Sequence, residues 1–189
     1  VVKVNPERSG GPEFSGIGNP SIGTLGSQPS LTEERILDEL GAITDPEIPV
    51  VSLVEMKVIR SVEVRDDGGV CVHLAPTFVG CPALEHMKSE IRARLSVLGC
   101  DDVTIELSFD PPWSTDLLSE GVKEKLRVFG IAPPPKMGEQ LLATLELPVA
   151  CPFCDSNRTH LESSFGSTLC KQIFFCNECR QSFERFKPI

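Results

Sequence analysis

The 189-residue chain carries 27 acidic against 18 basic residues, a formal net charge of −9 and a pI near 4.9. A surface of that sign repels phosphate backbones, so bulk electrostatics argues against nucleic acid as the main partner and suits a protein that meets other proteins. Hydrophobic residues make up 40% of the chain, enough for one ordinary domain plus a small module, and no run reaches the roughly 18 apolar residues of a membrane span.

Residues 1–30 are rich in Gly, Pro, Ser and Asn without apolar periodicity and read as a disordered tail. Ser30 and Glu33 fit a capping box, which predicts a helix running to about Leu40 with Gly41 as its C-cap. Asp45-Pro46-Glu47-Ile48-Pro49 has two prolines in a short run and is expected to be irregular backbone. Val54, Met56, Val58, Val62 and Val64 alternate with Glu55, Lys57 and Glu63, the period of a half-buried strand. Asp66-Asp67-Gly68-Gly69 reads as a turn, and Val70, Val72 and Leu74 as its hairpin partner. Leu84, Met87, Ile91, Leu95 and Leu98 recur at helical spacing, with Gly99 ending the helix. A third strand is expected to point Val103, Ile105, Leu107 and Phe109 inward, and a further helix to run from about Thr115 to Phe129 after Pro111-Pro112-Trp113.

Each strand has one apolar face that helices must cover. The predicted class is therefore α+β: a two-layer domain over residues 31–132, with a three-stranded sheet and helices on one face. Pro133-Pro134-Pro135 is a stiff spacer opening a linker over 133–149, within which Gly138 to Val149 admits a short docking helix. A small four-cysteine zinc ribbon fills 150–189.

The ribbon reading rests on Cys151-Pro-Phe-Cys154 and Cys176-Asn-Glu-Cys179. Two residues between paired cysteines let one tight turn aim both sulfurs at one ion, and two such turns complete a tetrahedron of thiolates. Structural zinc is the expected occupant, although spacing alone does not separate zinc from a four-thiolate iron site. Cys170, outside the knuckle geometry, reads as a spare buried thiol, and His160 as a residue the complete sulfur set does not need.

Gly80-Cys81-Pro82 feeds the second predicted helix, with Pro82 suited to its first position. That placement sets Cys81 among unpaired N–H groups at the positive end of the dipole, where a thiol pKa is expected to fall. Such a thiolate acts as a nucleophile or holds a soft metal; a small buried residue without chemistry is the alternative. Asp45 and Glu47 lie on the other irregular loop, where carboxylates ordinarily serve turns. Cys71 and His73 share the less apolar face of their strand, with no further ligand visible; Cys100 reads as structural and His86 as solvated. The sequence has no Gly-rich phosphate loop, nucleophile elbow or paired helical carboxylate–histidine motif. A stand-alone enzyme is therefore not expected.

The segments Asp45–Leu53, Leu74–Ala83 (Leu-Ala-Pro-Thr-Phe-Val-Gly-Cys-Pro-Ala) and Pro111–Asp116 together resemble the signatures of the iron–sulfur assembly domain family, which includes bacterial SufT and the eukaryotic cytosolic iron–sulfur targeting proteins. The added ribbon makes the resemblance closer to the family's phenylacetate-degradation branch. Ala75 departs from the hydroxyl residue that relatives often carry. The resemblance implies that Cys81 is the reactive, cluster-handling cysteine, supported by Asp45, Glu47 and Thr77. It implies transient handling of iron or an iron–sulfur cluster for a protein client, the oxidoreductase or oxygenase component of phenylacetyl-CoA epoxidase, by a homodimer. A purely structural subunit of that epoxidase, without cluster chemistry, is the alternative role. No secretory leader is evident, so the expected location is the cytoplasm, where the 8 cysteines stay reduced.

Overall fold

Thr32 accepts a hydrogen bond on Oγ1 from the Arg35 backbone N–H at 3.3 Å and opens α1 (Glu33–Leu40), which buries Ile36 and Leu40 one turn apart. The computed structural model describes residues 31–78, 80–136 and 149–189. The expected cap Ser30, the tail 1–30 and most of the segment from Gly138 lie outside these residues. Gly41 closes the helix in a right-handed conformation (φ −61°), rather than the left-handed one the usual glycine cap adopts.

The run expected to be irregular is instead a tight hairpin, β1 (Thr44–Asp45) against β2 (Ile48–Ser52). Asp45 Oδ1 accepts the N–H groups of Glu47 at 2.8 Å and Ile48 at 3.0 Å, so a side chain supplies the acceptor that turns the corner. Pro46 sits at that corner, where no N–H is needed.

The strand expected from Val54 begins only at Ile59. Ser52 and Glu55 form a reciprocal box, Ser52 N–H to Glu55 Oε2 at 3.0 Å and Glu55 N–H to Ser52 Oγ at 3.2 Å, and they wind the chain into a turn. The alternation through Val54 and Met56 therefore belongs to a turn and not to a strand.

The sheet has the order β3 (Ile59–Val64), β4 (Val70–Leu74), β5 (Val103–Leu107). β3 and β4 are antiparallel, with Val62 opposite Val72; β4 and β5 are parallel, with Val72 opposite Ile105. The crossover between β4 and β5 is α2 (Leu84–Val97), which lays Met87, Ile91 and Leu95 on the core. The α+β class is as expected. β5 departs from expectation at its far end: Leu107 is 39% and Phe109 46% exposed, because β5 is an edge strand whose end outruns the core.

The last helix also starts later than expected. Thr115–Leu117 is a short 3-10 turn; Ser119 then caps α3 (Glu120–Phe129), its Oγ accepting the Val122 N–H at 3.3 Å. β6 (Ile131–Ala132) follows and pairs with the carboxy-terminal sheet, whose order is β6, β9 (Ser182–Phe186), β8 (Lys171–Cys176), β7 (Thr159–Ser163).

Residues 31–189 pack as one unit. Phe186, fully buried on β9, belongs to the same apolar cluster as α1 and α2 and meets Trp113 with ring centroids 5.8 Å apart. Trp113 in turn donates its Nε1–H to the Met56 carbonyl at 2.8 Å. Truncating a buried phenylalanine costs about 3–5 kcal/mol. Phe186→Ala is therefore expected to lower stability by that amount, read as a shifted urea midpoint, and to loosen both sheets together.

Candidate metal centre and thiol pocket

The two knuckles repeat one backbone turn. The N–H of Asp155 donates to the Cys151 carbonyl at 2.9 Å, and that of Arg180 to the Cys176 carbonyl at 3.0 Å. Asp155 (φ 57°) and Arg180 (φ 62°) are both left-handed, which bends each loop so that its two sulfurs converge. β7 and β8 bring the turns together, and all four sulfurs lie within 4.8 Å of one another, with Cys151–Cys179 and Cys154–Cys176 at 3.6 Å. Four thiolates about 2.3 Å from a central zinc would stand about 3.8 Å apart, so this donor set fits one tetrahedral ion. Without an ion the sulfurs do not share one state: the Cys179 backbone N–H brings the Cys176 thiol down to about 7, while burial pushes the Cys179 thiol up to about 12. His160 is outside this set; its Nδ1 lies 3.2 Å from Asn177 Nδ2.

The second site is a pocket between the main sheet and the ribbon. Cys81, Asp45, Glu47 and Thr77, named separately from the sequence, all line it. Gly80 (φ +85°) turns the chain in a conformation that L side chains rarely adopt, and the Cys81 N–H then bonds to the Phe78 carbonyl at 3.3 Å. The helix begins at Leu84 rather than at Pro82, so Cys81 precedes it; its carbonyl accepts the Leu84 N–H at 3.1 Å, and the Ala83 and Leu84 N–H groups favour charge on the nearby thiol.

Those two donors do not lower the thiol pKa overall, as the sequence suggested they would. Burial pushes Cys81 up, and the charges of Asp45 and Glu47 push it further. Asp45 is itself raised by burial, against the two N–H bonds it accepts. The resting thiol is therefore protonated and half-buried, next to two carboxyl groups.

The sequence did not anticipate Cys170 here. The β7–β8 loop contributes Thr168, Leu169 and Cys170 to the lining of the same pocket. Cys170 is indeed partly buried, but at this pocket and not inside the ribbon. His86 points elsewhere, to a shallow groove lined by Thr44, Pro46 and Arg94. On the sheet, parallel pairing sets Glu106 beside His73, so Cys71, His73 and Glu106 also converge; His73 Nε2 is 3.3 Å from Glu63 and its Nδ1 3.8 Å from Glu106.

The fold and the two cysteine sites define an iron–sulfur assembly domain joined to a zinc ribbon, and comparison with known proteins agrees. Residues 33–107 match the iron–sulfur cluster assembly protein model and residues 136–187 the PaaD zinc beta ribbon domain. The chain is 41% identical over 150 residues, 79% of its length and 89% of the relative's, to an Escherichia coli (strain K12) protein named as one subunit of a "Putative 1,2-phenylacetyl-CoA epoxidase". It is 39% identical to the "Fe-S protein maturation auxiliary factor" of Porphyromonas gingivalis, over 47% of this chain and 85% of that one. It is 26% identical to the "Fe-S protein maturation auxiliary factor SufT" of Staphylococcus aureus, over 46% and 98%. The chain belongs to the PaaD family of iron–sulfur assembly domain proteins.

Two outcomes follow for the cysteines. Cys154→Ser is expected to weaken metal binding at the ribbon by more than the roughly 10–100-fold that loss of an outer partner costs, read by competition with a chromophoric chelator. Alkylation of Cys81 in metal-free protein, followed by mass spectrometry, is expected to be slow at neutral pH and still rising above its ordinary thiol pKa of 9.0. A rate that levels off below neutral pH would show a depressed thiol instead.

Proposed function

We propose that this protein is an accessory maturation factor that uses Cys81 to hold iron or an iron–sulfur cluster transiently for the phenylacetyl-CoA epoxidase system. The observation that carries this reading is one half-exposed thiol set beside the buried Asp45 carboxyl and Glu47, in a pocket open on one side. The names of the relatives support it: two are called iron–sulfur maturation factors and one an epoxidase subunit.

The chemistry follows from the surroundings. A neutral thiol in an acidic, partly apolar pocket gives up its proton when a cation takes that proton's place on sulfur. The adjacent carboxylates favour the incoming positive charge, and the Ala83 and Leu84 N–H groups steady the thiolate formed. Cargo held this way keeps open coordination positions through which a client, the oxidoreductase or oxygenase component, can take it. The ribbon holds zinc and gives the carboxy-terminal half its rigidity. The factor works where thiols stay reduced, in the cytoplasm.

Cys81→Ser, expressed in cells lacking the natural protein, is expected to abolish epoxidase activity while leaving the fold and ribbon zinc content intact. Normal activity with this variant would overturn the proposal. The name of the Escherichia coli relative favours a second reading, a fixed structural component. Under that reading the protein co-purifies with the oxygenase at constant stoichiometry, and client clusters load in its absence.

A further inference from the structure

The β7–β8 loop is built to a fixed shape. The Lys187 N–H donates to the Cys170 carbonyl at 2.9 Å and Lys187 Nζ to the Leu169 carbonyl at 2.8 Å. Lys171, only 3% exposed, donates to Ser167 Oγ at 2.9 Å and Glu184 Oε2 at 3.1 Å, while the Ser167 N–H reaches Glu184 Oε1 at 2.8 Å. At Gly166 a Cβ would stand 2.8 Å from Lys171 Cβ, so the loop closes this tightly only on glycine. A buried lysine is costly unless paired, and here its pairing anchors the loop to β9.

That anchored loop carries a thiol, and the thiol lines the pocket of Cys81. Thr168 Oγ1 lies 3.1 Å from Cys170 Sγ and orients it. Asp45 lines the same pocket as both cysteines. The pocket encloses about 40 Å³, room for an ion and a water or so. Cys170 takes no part in the four-sulfur set of the ribbon.

We propose that Cys170 is the second protein ligand of the cargo site, so that Cys81 from the main sheet and Cys170 from the ribbon loop hold a single iron ion between two thiolates. This rests on the reading of Cys81 as the cargo-holding thiol and adds a partner within the same chain. Two thiolates on separate elements form a chelate whose second bond is intramolecular. Iron in tetrahedral sulfur sites takes four ligands, so two remain open for the client. On binding, each S–H gives up its proton and each sulfur donates an electron pair to the ion, with no change of oxidation state. The ribbon thereby contributes directly to cargo handling, by delivering a ligand.

The test is an anaerobic titration of the zinc-loaded full chain with cobalt(II) alone. Cobalt binds more weakly than zinc in such sites and leaves the ribbon occupied. The wild type is expected to take up one cobalt with sulfur-to-metal charge-transfer absorption. Cys170→Ser is expected to halve that absorption and weaken binding at least about tenfold, and Cys81→Ser to do the same. Unchanged titration of Cys170→Ser, with Cys81→Ser impaired, overturns the second ligand and leaves the single-thiol reading standing. Unchanged titration of both variants, or no uptake by the wild type, overturns both. X-ray absorption at the cobalt edge of the wild-type complex needs no variant: two sulfur neighbours are expected, and one overturns the proposal even where Cys170→Ser fails to fold.

Discussion

Phe186 packs on Trp113, and Trp113 is tied by its indole N–H to the Met56 carbonyl. Through this contact a residue of the last ribbon strand becomes part of the main apolar core. The parallel pairing of Ile131 with Glu184 adds backbone hydrogen bonds to the same junction. A zinc ribbon is too small to bury much apolar surface alone and ordinarily depends on its metal for stability. Here it also leans on a larger core, so its loops take defined positions over the sheet domain.

The thiol pocket is a product of that junction. Its floor is the main domain, with the Asp45–Ile48 turn and the Gly80–Cys81 bend; its wall is the ribbon loop around Cys170. Burial disfavours charge, so the Cys81 and Cys170 thiols stay protonated when nothing is bound, and the same burial raises the Asp45 carboxyl. A cation reverses that preference, because it compensates each negative charge it creates. On the proposed reading, a site of this kind is quiet when empty and takes up metal when it is offered. At the knuckles the shifts are mixed: the turn N–H of Cys179 favours charge at Cys176, while burial raises Cys179.

Sequence patterns served best where one local rule decided the outcome. The paired knuckles, the alternation of β4 and the helical spacing of α2 were legible because each rests on a short-range geometry. They misled where two local rules competed. Around Ser52 and Glu55 a capping box won over apparent alternation, and at Asp45 a side-chain acceptor made a hairpin from a proline-rich run. Both competing signals were present in the sequence, as Ser-x-x-Glu and as an Asp before Pro-Glu.

The order of residues was enough to say which groups are available: four thiols at metal spacing, a fifth after Gly80 and two carboxyls in a turn. Their intrinsic chemistry depends on residue type and near neighbours, which the chain order contains. It took folding in three dimensions to set Cys170 with Cys81 and Glu106 with His73, and to raise the Cys81 thiol rather than lower it. Proximity between residues far apart in the chain follows from how sheets and helices bury their apolar faces against one another. The pKa of a thiol follows from the dielectric and charge that such packing creates, and neither can be read from the residues that flank it.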